Sequence, residues 1–321
     1  MPLIRREYKQ YKRLRLASPW SRRFLIVLVC CLTIAPGMRA QGQDSHDAGQ
    51  RLTAGVLNDP ELDAGFHLLY ELKFDAARER FTKWEREHPE QPIGPALEAA
   101  SSLYQEFYRE GVLTSEFFLD DKRLLGGIKG QPDAKLEEEF ASAARRAGEL
   151  ARRRLQNDRL DPDALFALTL VEGMQADDAF LIQKHQIESL HHVREADRDA
   201  RVLLQIAPHT DDAYVALGAA NYIIGCLPAY KRAALWLGGV HGDKALGMQQ
   251  LARAASSEHA HYLRPFARLM LALAAMREKN SEVSREQLRA LVKEFPDNPL
   301  FAAELAKITP VVSDISSPGS R

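Results

Sequence analysis

The sequence predicts an all-α fold in which helix-turn-helix repeats stack as an irregular α-solenoid, and three observations carry this prediction. Apolar residues such as Val193, Ala196 and Ala200 recur at spacings of three and four, which lines one face of a helix. The dipeptides Asp59-Pro60 and Asp161-Pro162 each place a capping carboxylate before a proline at the first helical position. Amphipathic runs of about 12 to 16 residues alternate with short polar turns, and no comparable run alternates with period two.

Residues 58–91 carry the most specific repeat pattern. With Asn58 as the first position of a repeat of about 34 residues, Gly65 falls on a position where two helices approach closely. The residues that pack the second helix on the first, and the proline that closes the unit, are Phe74, Ala77, Phe81, Trp84 and Pro89. This pattern resembles the tetratricopeptide repeat (TPR) family.

The resemblance extends over residues 58–300, although the later units match less completely. One unit begins near Asp211, and its second helix does not start until about Asp243. A further unit ends near the end of the region. The residues that carry these matches are Tyr214, Leu217, Gly218, Gly247, Leu251, Ala254 and Pro296. Residues 111–133, 176–190 and 223–242 do not fit the repeat, so a more compact helical domain is the alternative to a regular superhelix.

The resemblance implies a concave groove that holds a protein or peptide partner. Members of the family use side chains on the first helix of each unit for this purpose, and nearby aromatic residues would supply large contact areas. The positions carried over in this way are Leu62, Phe66, Leu69, Tyr70, Asp212, Val215 and Tyr222, with Tyr104, Phe107 and Tyr108 as a further aromatic group. The alternative is that these residues pack adjacent units together.

The two ends of the chain are predicted to lie outside the repeat region, which spans residues 58–308. A basic stretch, the apolar run Phe24 to Ala35 and the small residue Ala40 predict an export signal over residues 1–40. An uncleaved N-terminal anchor is the alternative, and Ser21-Arg22-Arg23-Phe24 resembles the twin-arginine motif as an alternative to general secretion. We expect a periplasmic or cell-envelope protein with a flexible linker at 41–57 and a disordered tail at 309–321.

The charge distribution disfavours nucleic acid as a partner. The first 40 residues carry nine basic side chains and one acidic side chain, whereas the whole chain has a formal net charge of −1. Residues 41–321 therefore carry about −9. An acidic body of this kind offers no broad basic surface for phosphates.

Residues 223–240 form the least polar segment outside the predicted signal, and two interpretations stay open. Trp236 and Tyr230 are suited to anchor a docking helix on a partner or on a membrane surface. The alternative is a buried helix that fills an irregular part of the stack, because Pro228 and the Lys231-Arg232 pair interrupt any continuous apolar span.

No pattern in the sequence points to catalysis, a metal or a cofactor. His185, His191 and His192, and separately His259 and His261, lack the spacing of a zinc hydrolase motif. The paired acids Asp120-Asp121, Asp177-Asp178 and Asp211-Asp212 fall near predicted helix starts, where carboxylates cap backbone N–H groups. Cys226 lies in an apolar segment, which raises a thiol pKa.

We therefore expect an exported TPR-like scaffold that binds a protein or peptide partner and has no cofactor. The first alternative is a peripheral membrane protein that docks through residues 223–240. A metal-dependent or hydrolytic enzyme is the second alternative.

Overall fold

The computed structural model describes residues 59–237 and 239–309, apart from the side chain of Ala234. Helices account for 77% of these residues, which contain 14 α-helices and no strand. The prediction of an all-α fold is thus confirmed for the described part of the chain. The predicted signal or anchor at 1–40, the linker at 41–57 and residues 310–321 of the predicted tail lie outside it.

The helices follow one another with short connections. In chain order they are α1 (Pro60–Tyr70), α2 (Phe74–Glu87), α3 (Ile93–Arg109), α4 (Ser115–Leu119), α5 (Asp121–Gly126), α6 (Ala134–Asn157), α7 (Pro162–Asp177), α8 (Gln186–Ile206), α9 (Ala213–Cys226), α10 (Ala229–Leu237), α11 (Lys244–Ser256), α12 (Arg264–Arg277), α13 (Ser281–Glu294) and α14 (Pro299–Ile308). A π-helical segment, Asp178–Ile182, continues α7.

Side-chain caps explain where several helices begin. Asp59, Asp161 and Asp243 each accept at least one backbone N–H from the first turn that follows. Pro60 and Pro162 occupy the first turn of α1 and α7, where a missing N–H leaves no hydrogen bond unmade. Local chemistry therefore fixes these starts before any tertiary contact forms.

The helices pack as five successive pairs with a final single helix. The pairs are α1 with α2, α3 with α6, α7 with α8, α9 with α11, and α12 with α13, while α14 packs on α13. Each pair contacts the next one along the chain, through α2–α3, α6–α7, α8–α9 and α11–α12. A helix pair cannot cover both of its apolar faces alone, so each pair buries one face against its neighbour.

Two of these pairs contain close helix contacts at glycine. An added Cβ atom at Gly65 of α1 would lie 2.3 Å from Cε1 of Phe81 in α2. An added Cβ at Gly247 of α11 would lie 2.5 Å from the backbone nitrogen of Tyr222 in α9. These distances are far below van der Waals contact, so both pairs need a residue without a side chain at the crossing.

The remaining repeat-motif residues lie inside the helix pairs or at their ends. Leu217 and Gly218 are buried on α9, whereas Tyr214 is half-buried under the guanidinium of Arg253, 4.1 Å from the ring centre. On α2 the buried side chains are Phe74, Ala77, Phe81 and Trp84, while Pro89 and Pro296 are exposed in turns after α2 and α13.

Insertions occupy the places where the sequence departs from the repeat. Helices α4 and α5 stand between α3 and α6, and α4 packs against α12. The ring of Phe118 in α4 stacks on that of Tyr222, with centroids 6.1 Å apart, and its carbonyl accepts a hydrogen bond of 2.9 Å from Arg277. Residues 111–133 therefore bridge helices that lie far apart in sequence.

The first pair also contacts the segments on either side of α12 and α13. The ring of Phe66 stacks on Tyr262 with centroids 4.4 Å apart, and Tyr70 donates a hydrogen bond of 2.9 Å to the carbonyl of Tyr262. Asn298 donates in turn to the carbonyl of Tyr70 at 2.6 Å. Within the described residues, the beginning and end of the predicted repeat region thus meet, as in the compact alternative to an open superhelix.

Candidate functional site

The residues predicted to face a partner groove are mostly covered by the chain itself. Among the ten positions named above, only Tyr108 is exposed, with 42% of its surface accessible. Tyr70 and Tyr104 are half-buried. The six fully buried residues are Leu62, Phe66, Leu69, Asp212, Val215 and Tyr222, and Phe107 beside Tyr108 is buried as well.

Contacts within the chain explain this burial. Tyr222 donates hydrogen bonds to the carbonyl of Ala274, at 3.2 Å, and to Glu278, at 3.0 Å. The ring of Tyr104 contacts that of Phe266 edge to face, with centroids 5.3 Å apart. A peptide would have to displace such contacts before it reached these side chains, so partner binding through them stays a prediction.

Asp212 binds the protein's own backbone. Its carboxylate accepts hydrogen bonds from the backbone N–H groups of His261, Tyr262 and Leu263, at 2.8, 3.0 and 2.6 Å. Burial raises the pKa of Asp212 to about 6, and the three N–H donors partly oppose this increase. The side chain therefore fixes the connection that precedes α12.

The clustered histidines make local contacts with acids. His192 lies 2.6 Å from Glu172, whose other carboxylate oxygen accepts from Arg152 at 2.8 Å. Burial acts to raise the pKa of Glu172, but His192 and Arg152 outweigh it and hold that pKa below its ordinary value. His261 lies 2.8 Å from Asp63. Within the described ranges, no group of three or more potential ligands is placed to hold a metal ion.

Two of the paired acids, at 120–121 and 211–212, have structural partners. The capping role predicted for Asp177-Asp178 is wrong for Asp177, which ends α7 and makes no side-chain cap to the π-helical segment that follows. Asp120 accepts backbone N–H groups at the start of α5. Asp211 accepts from Arg253 at 3.1 Å and from Ser257 at 2.6 Å. Burial raises the pKa of the Cys226 thiol, as its apolar segment predicts. The contacts of Asp120 and Asp211 therefore stabilise a helix start and the packing between helices.

Residues 223–226 of the apolar insertion end α9, where Ile224 and Gly225 are buried, and residues 229–237 form α10. For α10 the interpretation as a buried helix is wrong. Tyr230, Trp236 and Leu237 have 72, 63 and 81% of their surfaces exposed. No other helix in the described residues makes an extensive contact with α10. The helix is attached mainly at its ends, where it continues from α9 through Leu227-Pro228 and returns through the buried Val240.

The orientation of α10 is opposite to that of an ordinary surface helix. At about 100° per residue, Tyr230, Ala233, Trp236 and Leu237 lie within an arc of about 120°, which we term the apolar face of α10. All four residues are exposed, whereas Leu235 on the opposite side of the helix is half-buried. Surface helices normally turn their apolar stripe toward the core, so the outward apolar face of α10 marks a candidate docking site.

The segment around α10 also differs in charge from the remainder of residues 41–321, which is acidic overall. Lys231 and Arg232 are the only residues with a formal charge in 228–242, and no Asp or Glu occurs there. Arg232 also donates a hydrogen bond of 3.2 Å to the carbonyl of Gly225 at the end of α9. A cationic apolar segment therefore projects from a body of net negative charge.

Neither the family models nor the curated proteins nor the solved structures include a significant match to this chain. Among the described helices, none has the length and apolar character required to cross a membrane. The functional proposal below therefore rests on the surfaces and contacts of this chain.

Proposed function

We propose that the protein is an exported, TPR-like helical scaffold that acts by docking through the apolar face of α10. The observation that carries this proposal is the exposure of Tyr230, Trp236 and Leu237 on a helix that makes no extensive contact with another described helix. Large exposed apolar patches on soluble proteins commonly mark interaction sites.

The architecture supports the scaffold part of the proposal. Five helix pairs that contact one another in chain order, with glycine at two crossings, agree with the repeat pattern of residues 58–91. In such an arrangement the repeated pairs give a stable body, and insertions can vary without disturbing the pairs. α10 is an insertion of this kind because it separates the two helices of one pair, α9 and α11.

Site-specific photocrosslinking tests whether the apolar face docks. A benzoyl-phenylalanine side chain replaces Trp236 in the full-length chain, and cell envelopes are irradiated. We expect a defined adduct, either with a protein or with lipid, because a docked face lies within reach of its partner.

Ile187 provides the matched control, since it is 86% exposed and lies at the start of α8. The same photoreactive side chain at that position should give no comparable adduct. Equal labelling at both positions, or no adduct at position 236, would contradict docking through α10.

A protein or peptide partner in the predicted groove is a separate proposal. Its residues are buried apart from Tyr108 and the half-buried Tyr70 and Tyr104, so the groove would have to open at the contact between Phe66 and Tyr262. If the photoreactive side chain is placed at position 108 instead, a crosslink to a peptide would support this proposal.

A further inference from the structure

The apolar face of α10 also indicates which partner it fits. We propose that α10 binds an anionic lipid surface, lying parallel to the membrane plane with its apolar face toward the acyl chains. This inference rests on the proposed docking function and names the partner of the same site.

The arrangement of side chains around α10 matches an interfacial helix. On the helix circumference, Arg232 lies next to Trp236 at one border of the apolar face, whereas the half-buried Lys231 lies beside Leu235 on the side toward the body. A cationic side chain at the border of an apolar stripe reaches lipid phosphates while the stripe enters the boundary between headgroups and acyl chains.

The aromatic residues strengthen this match. Tyr230 lies in the first turn of α10 and Trp236 in the last turn, and both are exposed. Tyr and Trp have an apolar ring and a polar group, so they are favoured where acyl chains meet headgroups. Two such residues at the two ends would hold the helix parallel to the surface.

Charge complementarity favours an anionic membrane. The segment 228–242 carries two formal positive charges and no negative charge, although residues 41–321 carry about −9. An anionic surface attracts this segment and repels the remainder of the body. The body formed by residues 41–321 would therefore approach such a membrane with α10 foremost.

A second copy of the chain fits the same face less well. A two-fold contact between two apolar faces would place Arg232 of both copies at the border of the same interface. The segment 228–242 contains no acid to neutralise them. Like charges placed across an interface are destabilising, so self-association is disfavoured.

Tryptophan fluorescence tests the lipid proposal directly in the full-length chain. Trp20 is replaced by Phe in every protein compared, which leaves Trp84, 3% exposed, and Trp236, 63% exposed. Vesicles contain either phosphatidylcholine alone or phosphatidylcholine with phosphatidylglycerol. We expect a blue shift of Trp236 emission on the anionic vesicles, and quenching by lipids brominated in the acyl chains.

Paired variants separate the contribution of α10 from that of bulk charge. K231Q/R232Q should weaken binding to anionic vesicles about 30-fold. The control R153Q/R159Q removes two exposed arginines from the region of α6, at Arg153 and Arg159, and should leave the Trp236 signal unchanged. Lys231 is half-buried and the other three residues are exposed. Circular dichroism verifies that each variant folds.

Three results would overturn the lipid proposal. The first is Trp236 emission that does not change with anionic vesicles even when the chain sediments with them. The second is an equal loss of signal in R153Q/R159Q. The third is a protein adduct at position 236 without insertion of Trp236 into lipid. That result would overturn the lipid proposal but retain docking through α10. The absence of any adduct at position 236 would instead reject the docking function itself.

Discussion

At the scale of single residues, Asp212 shows how one buried carboxylate can organise a connection. Replacing it with Asn keeps the shape but puts an amide donor where Oδ2 accepts the N–H of His261. Because the buried side chain then loses an acceptor and faces the N–H of His261 with an amide donor, we expect Asp212→Asn to lower the free energy of unfolding at pH 7 by about 1 to 3 kcal/mol. Urea denaturation followed by circular dichroism measures this change.

Asp75→Asn is the matched control for that substitution. Asp75→Asn is the same substitution at the surface, because the side chain of Asp75 is 86% exposed and pairs with Arg78. An exposed ion pair of this type contributes about 1 kcal/mol or less. A loss in Asp212→Asn no larger than in Asp75→Asn would contradict the structural role of Asp212.

The sequence predicts only part of what Asp212 does. A pair of acids before an apolar run indicates acceptors near a helix start, and Asp212 does precede α9. The donors at residues 261–263 lie about 50 positions further along the chain. Their approach depends on how α9, α11 and α12 pack, which local patterns do not specify.

At the scale of helices, the α9–α11 pair depends on close backbone contact. A methyl group at Gly247 would lie 2.5 Å from the backbone nitrogen of Tyr222 and 2.8 Å from the carbonyl oxygen of Gly218. Because backbone atoms cannot move aside, Gly247→Ala should force the two helices apart. We expect a loss of stability of about 1 to 3 kcal/mol in urea denaturation.

Gly173 gives the opposite expectation for the same substitution. It lies within α7, and an added Cβ there meets nothing within 4 Å. Alanine favours helix over glycine, so Gly173→Ala should be stabilising by up to about 1 kcal/mol. If Gly247→Ala and Gly173→Ala changed the free energy of unfolding equally, the close contact between α9 and α11 would not be the reason that position 247 requires glycine.

The position of α10 in the fold could not be predicted from sequence patterns. Its composition predicts an apolar helix, and this composition agrees equally with an exposed docking helix and with a buried helix. Periodicity identifies which residues share a face, such as Tyr230, Ala233 and Leu237, but not whether that face turns inward. The packing of α9 on α11 decides the question because it leaves α10 without an extensive contact to another described helix.

At the scale of the whole molecule, contact between the two ends couples distant helix pairs. Phe66→Ala would remove the ring that stacks on Tyr262, at a cost of about 3 to 5 kcal/mol. We expect faster amide hydrogen exchange not only in α1 and α2 but also in residues 260–300. In a linear stack, only the neighbouring pair would be affected.

Phe140→Ala provides the comparison for this experiment. Phe140 is buried in α6, and α6 packs on α3 and α7. Its removal should accelerate exchange in those three helices and leave residues 260–300 protected. Unchanged exchange at 260–300 in Phe66→Ala would mean that the ends contribute little to each other's stability.

The meeting of the two ends has a consequence for how the chain is made. The hydrogen bond from Asn298 to Tyr70 joins residues 228 positions apart, and that from Tyr70 to Tyr262 spans 192. During synthesis the first hairpin emerges long before its last partners exist, and such non-local contacts form slowly. The ring of Phe66 and its neighbours must stay exposed in the interval, so the growing chain passes through a stage that requires protection from aggregation.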